Sequence, residues 1–209
     1  MKRILLFLGP LLLITTYSCR DNVTIASDGS YDPNTQIFYS DKIDWSLKVP
    51  ERWTITVVDT FQSQVKRGVK SIDKTKLLET ADIEEEVSVT YLIGFEKNKQ
   101  NTFTAFTENF HYDKSLYIAA NRRKKDFLLA SYLDMGLLCD TSWRSEEVDK
   151  VEFQVFELDV LDSLNRVIFN QDYYNTLIDQ KSLTILIGYD GIETKNQLIH
   201  CIRTSKFGD

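Results

Sequence analysis

Four strand-like runs near the C-terminus, residues 141–146, 151–160, 166–175 and 182–189, leave this chain few folds to choose from. Each is rich in β-branched and aromatic residues and alternates apolar with polar positions, the period of a half-buried strand. The connections at 148–150, 162–165 and 179–181 are too short for a crossover, so neighbouring strands must run antiparallel. A helix predicted over 193–204 follows. Its wheel puts Thr194, Leu198, Ile202 and Ser205 on one face, with Cys201 at the flank as a buried free thiol and His200 toward solvent.

Upstream the texture is the same. Ile37 to Tyr39 forms a short strand, residues 43–49 alternate through Ile43, Trp45, Leu47 and Val49, and Pro50 breaks the run before a strand resumes at Trp53. A helix with Phe61, Val65, Val69 and Ile72 on one face is expected next, then a solvated acidic loop at Asp82 to Glu86. Val87, Val89, Tyr91, Ile93 and Phe95 alternate most cleanly of all, with a partner strand near 102–110. The longest helix is predicted over 114–134, capped by Asp113 and stopped by Gly136, with Leu116, Ala119, Ala120, Phe127 and Ala130 on a covered face. Its Arg122, Arg123, Lys124 and Lys125 lie about 100° apart around the axis and cannot form a binding stripe.

The N-terminus sets the compartment. Lys2 and Arg3 precede an apolar run from Ile4 to Ile14, followed by Thr15 to Ser18 and then Cys19, the order of a secretory signal peptide. The run is too short to span a bilayer, which needs about 20 apolar residues. The Ser18-Cys19 junction resembles the lipobox of bacterial lipoproteins, in which the cysteine becomes the lipidated first residue. Thr16 and Tyr17 depart from its usual Leu and small residue, a looseness seen among Bacteroidota lipoproteins, and Arg20-Asp21 resembles their surface-export signal. Plain secretion and an uncleaved anchor are the alternatives. Residues 1–18 are thus expected to be removed, 19–35 to be a lipidated cysteine and flexible tether, and 36–209 to fold as one globular domain. Within the tether, Asp28, Ser30, Asp32 and Asn34 have calcium-loop spacing, but Pro33 stands where the loop needs glycine, so no metal site is expected.

A strand ending in Pro50, Trp53 three residues later, and a strand meander closing through a helix on Ser205-Lys206-Phe207 together resemble the PsbP-like domains. That family includes the photosystem II extrinsic subunit, the Ran-binding Mog proteins and small bacterial envelope lipoproteins. The resemblance covers residues 36–207. It implies an α/β (α+β) sandwich, an antiparallel sheet of about six strands between helices, and a role in docking to larger assemblies without catalysis.

Charge and chemistry narrow the role further. Loss of residues 1–18 leaves 23 basic against 31 acidic side chains, an acidic body with no footprint for nucleic acid, while the 43% hydrophobic content excludes disorder. Neither histidine, His111 nor His200, sits in a catalytic or zinc motif, and the adjacent His200 and Cys201 diverge on a helix. No catalytic residue, cofactor or metal is assigned. Asp162-Ser163-Leu164 matches a loose O-glycosylation acceptor pattern in a predicted turn, which makes Ser163 a candidate acceptor. The expected protein is a non-catalytic lipoprotein of a Gram-negative envelope, anchored to the outer membrane through Cys19 and docking a protein partner. A carrier of a small ligand or metal, with a closed aromatic pocket, is the alternative. A hydrolytic enzyme is the second, and it requires clustered carboxylates, or a histidine near a nucleophile, in a cleft.

Overall fold

A computed structural model of the protein describes residues 29–56 and 89–208. The expected signal peptide, Cys19, the helix expected around Phe61 to Ile72 and the acidic run from Asp82 to Glu86 lie outside the described residues. The described strands are β1 (Ser30–Asp32), β2 (Ile37–Ser40), β3 (Trp45–Lys48), β4 (Thr54–Ile55), β5 (Val89–Glu96), β6 (Thr102–Asn109), β7 (Leu138–Val148), β8 (Val151–Leu161), β9 (Val167–Ile178), β10 (Lys181–Tyr189) and β11 (Lys206–Phe207). The helices are α1 (Tyr117–Asp134), led in by a 3-10 turn at Lys114–Leu116, and α2 (Ile192–Arg203).

The strands form two antiparallel sheets, one in the order β1-β2-β3-β11 and a seven-stranded one in the order β4-β5-β6-β10-β9-β8-β7. The expected α/β sandwich is the fold observed. The main sheet gains a seventh strand where, among the described residues, Thr54 and Ile55 pair with β5. Two tight turns carry the meander. Asp149 and Lys150, and Asp179 and Gln180, all have positive φ, so both two-residue hairpins are type I′, the turn whose twist matches the strands.

The small sheet and α2 cover one face of the main sheet, and α1 covers the other. The first core brings Phe38, Trp45 and Leu47 of the small sheet against Phe95, Phe103, Phe153, Ile185 and Ile187, with Leu198 and Ile202 of α2 between them. Trp45, fully buried, packs edge-on to Phe38 and is stacked 6.0 Å from Phe207. The closing Phe207 therefore pins the C-terminus to β3. On the opposite face Phe156, Leu158 and Val160 meet Leu128, Leu129 and Tyr132 of α1.

Three expectations need correction. The tether does not reach residue 35: Ser30–Asp32 pairs with β2, and the Asp32 carboxylate accepts from Asn34 N and Thr35 Oγ1 to close that turn. Asp113 caps the 3-10 turn through Ser115 N, and α1 itself starts at Tyr117 without a side-chain cap. Nor does α1 bury the expected face. Its buried residues are Tyr117, Asn121 and Lys125, spaced i, i+4, i+8, while Leu116 and Ile118 are about half exposed. The Tyr117 hydroxyl sets this rotation by donating to Thr176 O at 2.9 Å and pairing with Ser182 Oγ, a polar anchor that an apolar face could not make. The stop at Gly136 is as expected: φ is +75°, and Gly136 N and Leu137 N bond back to Leu133 O and Tyr132 O, a Schellman motif.

Candidate functional site

Alternation along β7 to β10 places a row of polar side chains on the α2 face, beside the apolar core. Register builds it in two rungs. One runs Ser142, Glu157, Asp172, Ile187 and the next Asp140, Asp159, Asn170, Tyr189, one residue from each of the four strands. Lys195 reaches in from the first turns of α2. Its Nζ lies 3.2 Å from Glu157 Oε1 and 3.3 Å from Asp172 Oδ2, the latter an ion pair without a hydrogen bond. Asp172 is fully buried and its other oxygen accepts from the Tyr189 hydroxyl at 2.8 Å. Ser142 Oγ donates to Glu157 Oε2, and Arg144 Nε stands 3.5 Å from Oε1. A recess of about 250 Å³, lined by Asp140, Ser142, Glu157, Asp159, Tyr189 and Lys195, opens beside this network.

The electrostatics divide the acids into two kinds. Burial would raise Glu157, but Ser142, Lys195 and Arg144 outweigh it and hold its pKa below the usual range. Burial raises Asp172 despite Lys195 and Tyr189, and it raises Asp159, with Asp140 and Glu157 adding to the effect. Lys195 loses hydration on burial, yet Asp172 and Glu157 keep its pKa above the ordinary lysine value. Lys195 is therefore a charged clamp between α2 and the sheet. Glu157, its charge stabilised by two cations, is a poor proton acceptor for Ser142.

A second feature is apolar. Leu138 pairs with Leu161 and Leu161 with Val167, which brings the start of β7 and the β8–β9 hairpin to one end of the sheet, where α1 also finishes. Leu133 and Met135 at the end of α1 and Leu164, Val167 and Ile168 of the β8–β9 hairpin have large exposed fractions, Met135 at 63% and Leu164 at 69%.

The residues singled out in the sequence are dispersed. Cys19 lies outside the described residues. Ser163 is exposed in the β8–β9 turn, where the Asp162 carboxylate accepts from Leu164 N and Arg166 N. His111 and His200 are both exposed, and Asp113, the acid nearest His111 in sequence, bonds Ser115 N. Cys201 is a buried free thiol that donates to Lys48 O at 3.0 Å, its pKa pushed up to about 12 by burial; Cys139 is free and half-buried. The basic run splits up: Arg122 covers the Trp143 ring, Lys124 pairs with Glu108, and Lys125 lies over Tyr173. Among the described residues no group of three or more His, Cys, Asp or Glu is placed to hold a metal, and no helix is long and apolar enough to cross a membrane. The polar recess escaped sequence reasoning. Its one local signal is that Glu157 and Asp159 share strand parity with the core residues Phe153 and Val155.

A sandwich of this topology, with a meander closing through α2 onto the small sheet, is PsbP-like. The solution structure of cyanobacterial PsbP (CyanoP) from Synechocystis sp. PCC 6803 superposes with a TM-score of 0.52 at 12% identity, covering 82% of this chain and 91% of that one. At that identity the likeness is one of fold. No family model and no curated protein matches the sequence.

Proposed function

We propose that this chain is a non-catalytic envelope lipoprotein, held to the outer membrane of a Gram-negative cell by lipid on Cys19, whose PsbP-like body docks a protein partner. The exposed apolar end built by Leu133, Met135, Leu164, Val167 and Ile168 carries the reading. Apolar side chains grouped on a surface mark interaction sites. The test is crosslinking in intact cells with identification of partners, comparing the parent with a Leu164→Asp, Val167→Asp variant. A reproducible partner lost in the variant is expected. No reproducible partner, or one indifferent to both substitutions, refutes the docking role. Lipid labelling of a Cys19→Ser variant is expected to fail, and labelling equal to the parent would refute an anchor on Cys19.

The recess beside Ser142, Glu157 and Asp159 supports a second reading, a hydrolase. It has the clustered carboxylates near a hydroxyl that such an enzyme requires. The lowered proton affinity of Glu157 argues against it. Hydrolysis of generic ester or glycoside substrates that disappears in Ser142→Ala and Glu157→Gln would establish it.

A further inference from the structure

The outer edge of β7 is built for pairing. The Val148↔Val151 pair closes a two-residue hairpin and exchanges both backbone bonds, so the even-numbered residues of β7 bond to β8. Cys139, Thr141, Trp143, Ser145 and Glu147 therefore turn their N–H and C=O groups outward. β7 is the last strand of the sheet and pairs, among the described residues, only with β8. Sheet edges are ordinarily guarded by shortness, bulges, proline, lysine or other charged side chains, and of these β7 carries the charges of Asp140, Arg144, Glu146 and Glu147. The opposite edge, β4, has two residues. β7 runs eleven residues with no proline, no lysine and no register shift against β8, and most of it is exposed.

We propose that β7 pairs antiparallel with β7 of a second copy about a two-fold axis through Ser142, joining the two main sheets into one. Charge selects both the occupant and the register. With Ser142 on the axis, Asp140 faces Arg144 of the second copy, twice, on the α2 side of the sheet. Outward-facing residues then pair with each other, Thr141 with Trp143 and Cys139 with Ser145, giving about eight inter-strand bonds. Moving the axis to Trp143 sets Asp140 against Glu146, twice, and moving it to Arg144 sets two guanidinium groups together; both are repulsive. The chosen register also answers a local imbalance. Asp140 faces Asp159 directly across the β7–β8 ladder, and no ion pair reaches Asp140 from the described residues. The Arg144 guanidinium, which in its own subunit also meets Glu146, Glu157 and the Tyr174 hydroxyl, is shared with Asp140 of the second copy at the mouth of the recess. On the other face Trp143 is already ordered by the Phe156 ring at 4.7 Å and by Arg122.

Sedimentation velocity of the full-length chain over a concentration series tests this. The parent is expected to pass from monomer to dimer. Thr141→Pro removes an outward N–H that β8 does not use and should weaken self-association at least about tenfold with an unchanged circular dichroism spectrum. Asp140→Arg should weaken it comparably, and combining it with Arg144→Asp should restore it. Because Arg144 also serves its own subunit, Ser142→Cys with Cys19 and Cys139 replaced by serine gives an independent readout. It should form an intermolecular disulfide on mild oxidation, whereas Trp143→Cys should not. A parent still monomeric at roughly 1 mM, or a dimer indifferent to Thr141→Pro and crosslinked at 143 instead of 142, overturns the proposal. Such a failure would leave the crosslinking test of the apolar end untouched, since the two surfaces have separate variants.

Discussion

Lys125 should make the stability of this protein depend on pH in a direction that surface lysines do not. It is 7% exposed, its Nζ 3.6 Å from the centre of the Tyr173 ring and 6.0 Å from that of Phe156. Burial, with Lys124 adding and Glu108 opposing, brings its pKa down to about 7. In the unfolded chain the amine keeps its proton to about pH 10.4. Between those values the unfolded state binds more protons than the folded one, so stability rises with pH through the window and levels off below it. The difference corresponds to roughly 5 kcal/mol at 1.36 kcal/mol per pH unit. The ring face of Tyr173 favours the ammonium and returns roughly 1–2 kcal/mol, leaving about 3 kcal/mol of net penalty at neutral pH. Lys125→Met keeps the stem and removes the charge, and it should stabilise the protein by about that amount near pH 7, with the gain shrinking toward pH 10. Urea unfolding followed by circular dichroism at about pH 6.5, 8 and 9.5 measures it. Cys201 and Tyr174, whose raised pKa values weaken the fold at alkaline pH, lie on the other face of the sheet and cancel in the difference between the two chains. A variant less stable than the parent, or a gain that does not change with pH, would refute the reasoning.

Other substitutions probe the second face and the clamp. Trp45→Ala should cost roughly 3–5 kcal/mol in chemical denaturation, since the ring is fully buried against Phe38 and Phe207. Trp45→Phe should cost far less, because the Nε1 it removes has no hydrogen-bond partner. Asp172→Ala leaves Tyr189 and Lys195 facing each other without their shared acid and should lose roughly 3 kcal/mol. Its thermal transition should fall accordingly, and an unchanged midpoint would show that the network contributes nothing. In folded protein near neutral pH a thiol reagent should label Cys139 well before Cys201, which should react only as the chain unfolds; equal rates would contradict the burial of Cys201.

The sequence alone determined what depends on local chemistry. Period-two alternation marked β5 to β10, and the connections at Asp149-Lys150 and Asp179-Gln180 made β7 antiparallel to β8 and β9 to β10. Gly136 ended α1 where a left-handed residue is needed, and the spacing of Thr194, Leu198 and Ile202 chose the buried face of α2. The reading of Cys19 likewise rests on sequence alone. What the tertiary structure decided is everything that depends on register and on competition between faces. The α1 face was misread because the Tyr117 hydroxyl finds Thr176 and Ser182, partners 59 and 65 residues away, so a polar stripe of Tyr117, Asn121 and Lys125 goes inward while Leu116 and Ile118 stay out. The recess was invisible because its rungs draw single residues from four strands and a helix. Alternation tells which side of a strand a residue faces; only pairing tells which residue stands beside it, and Ser142, Glu157, Asp172, Tyr189 and Lys195 become one network only when the strands are in register.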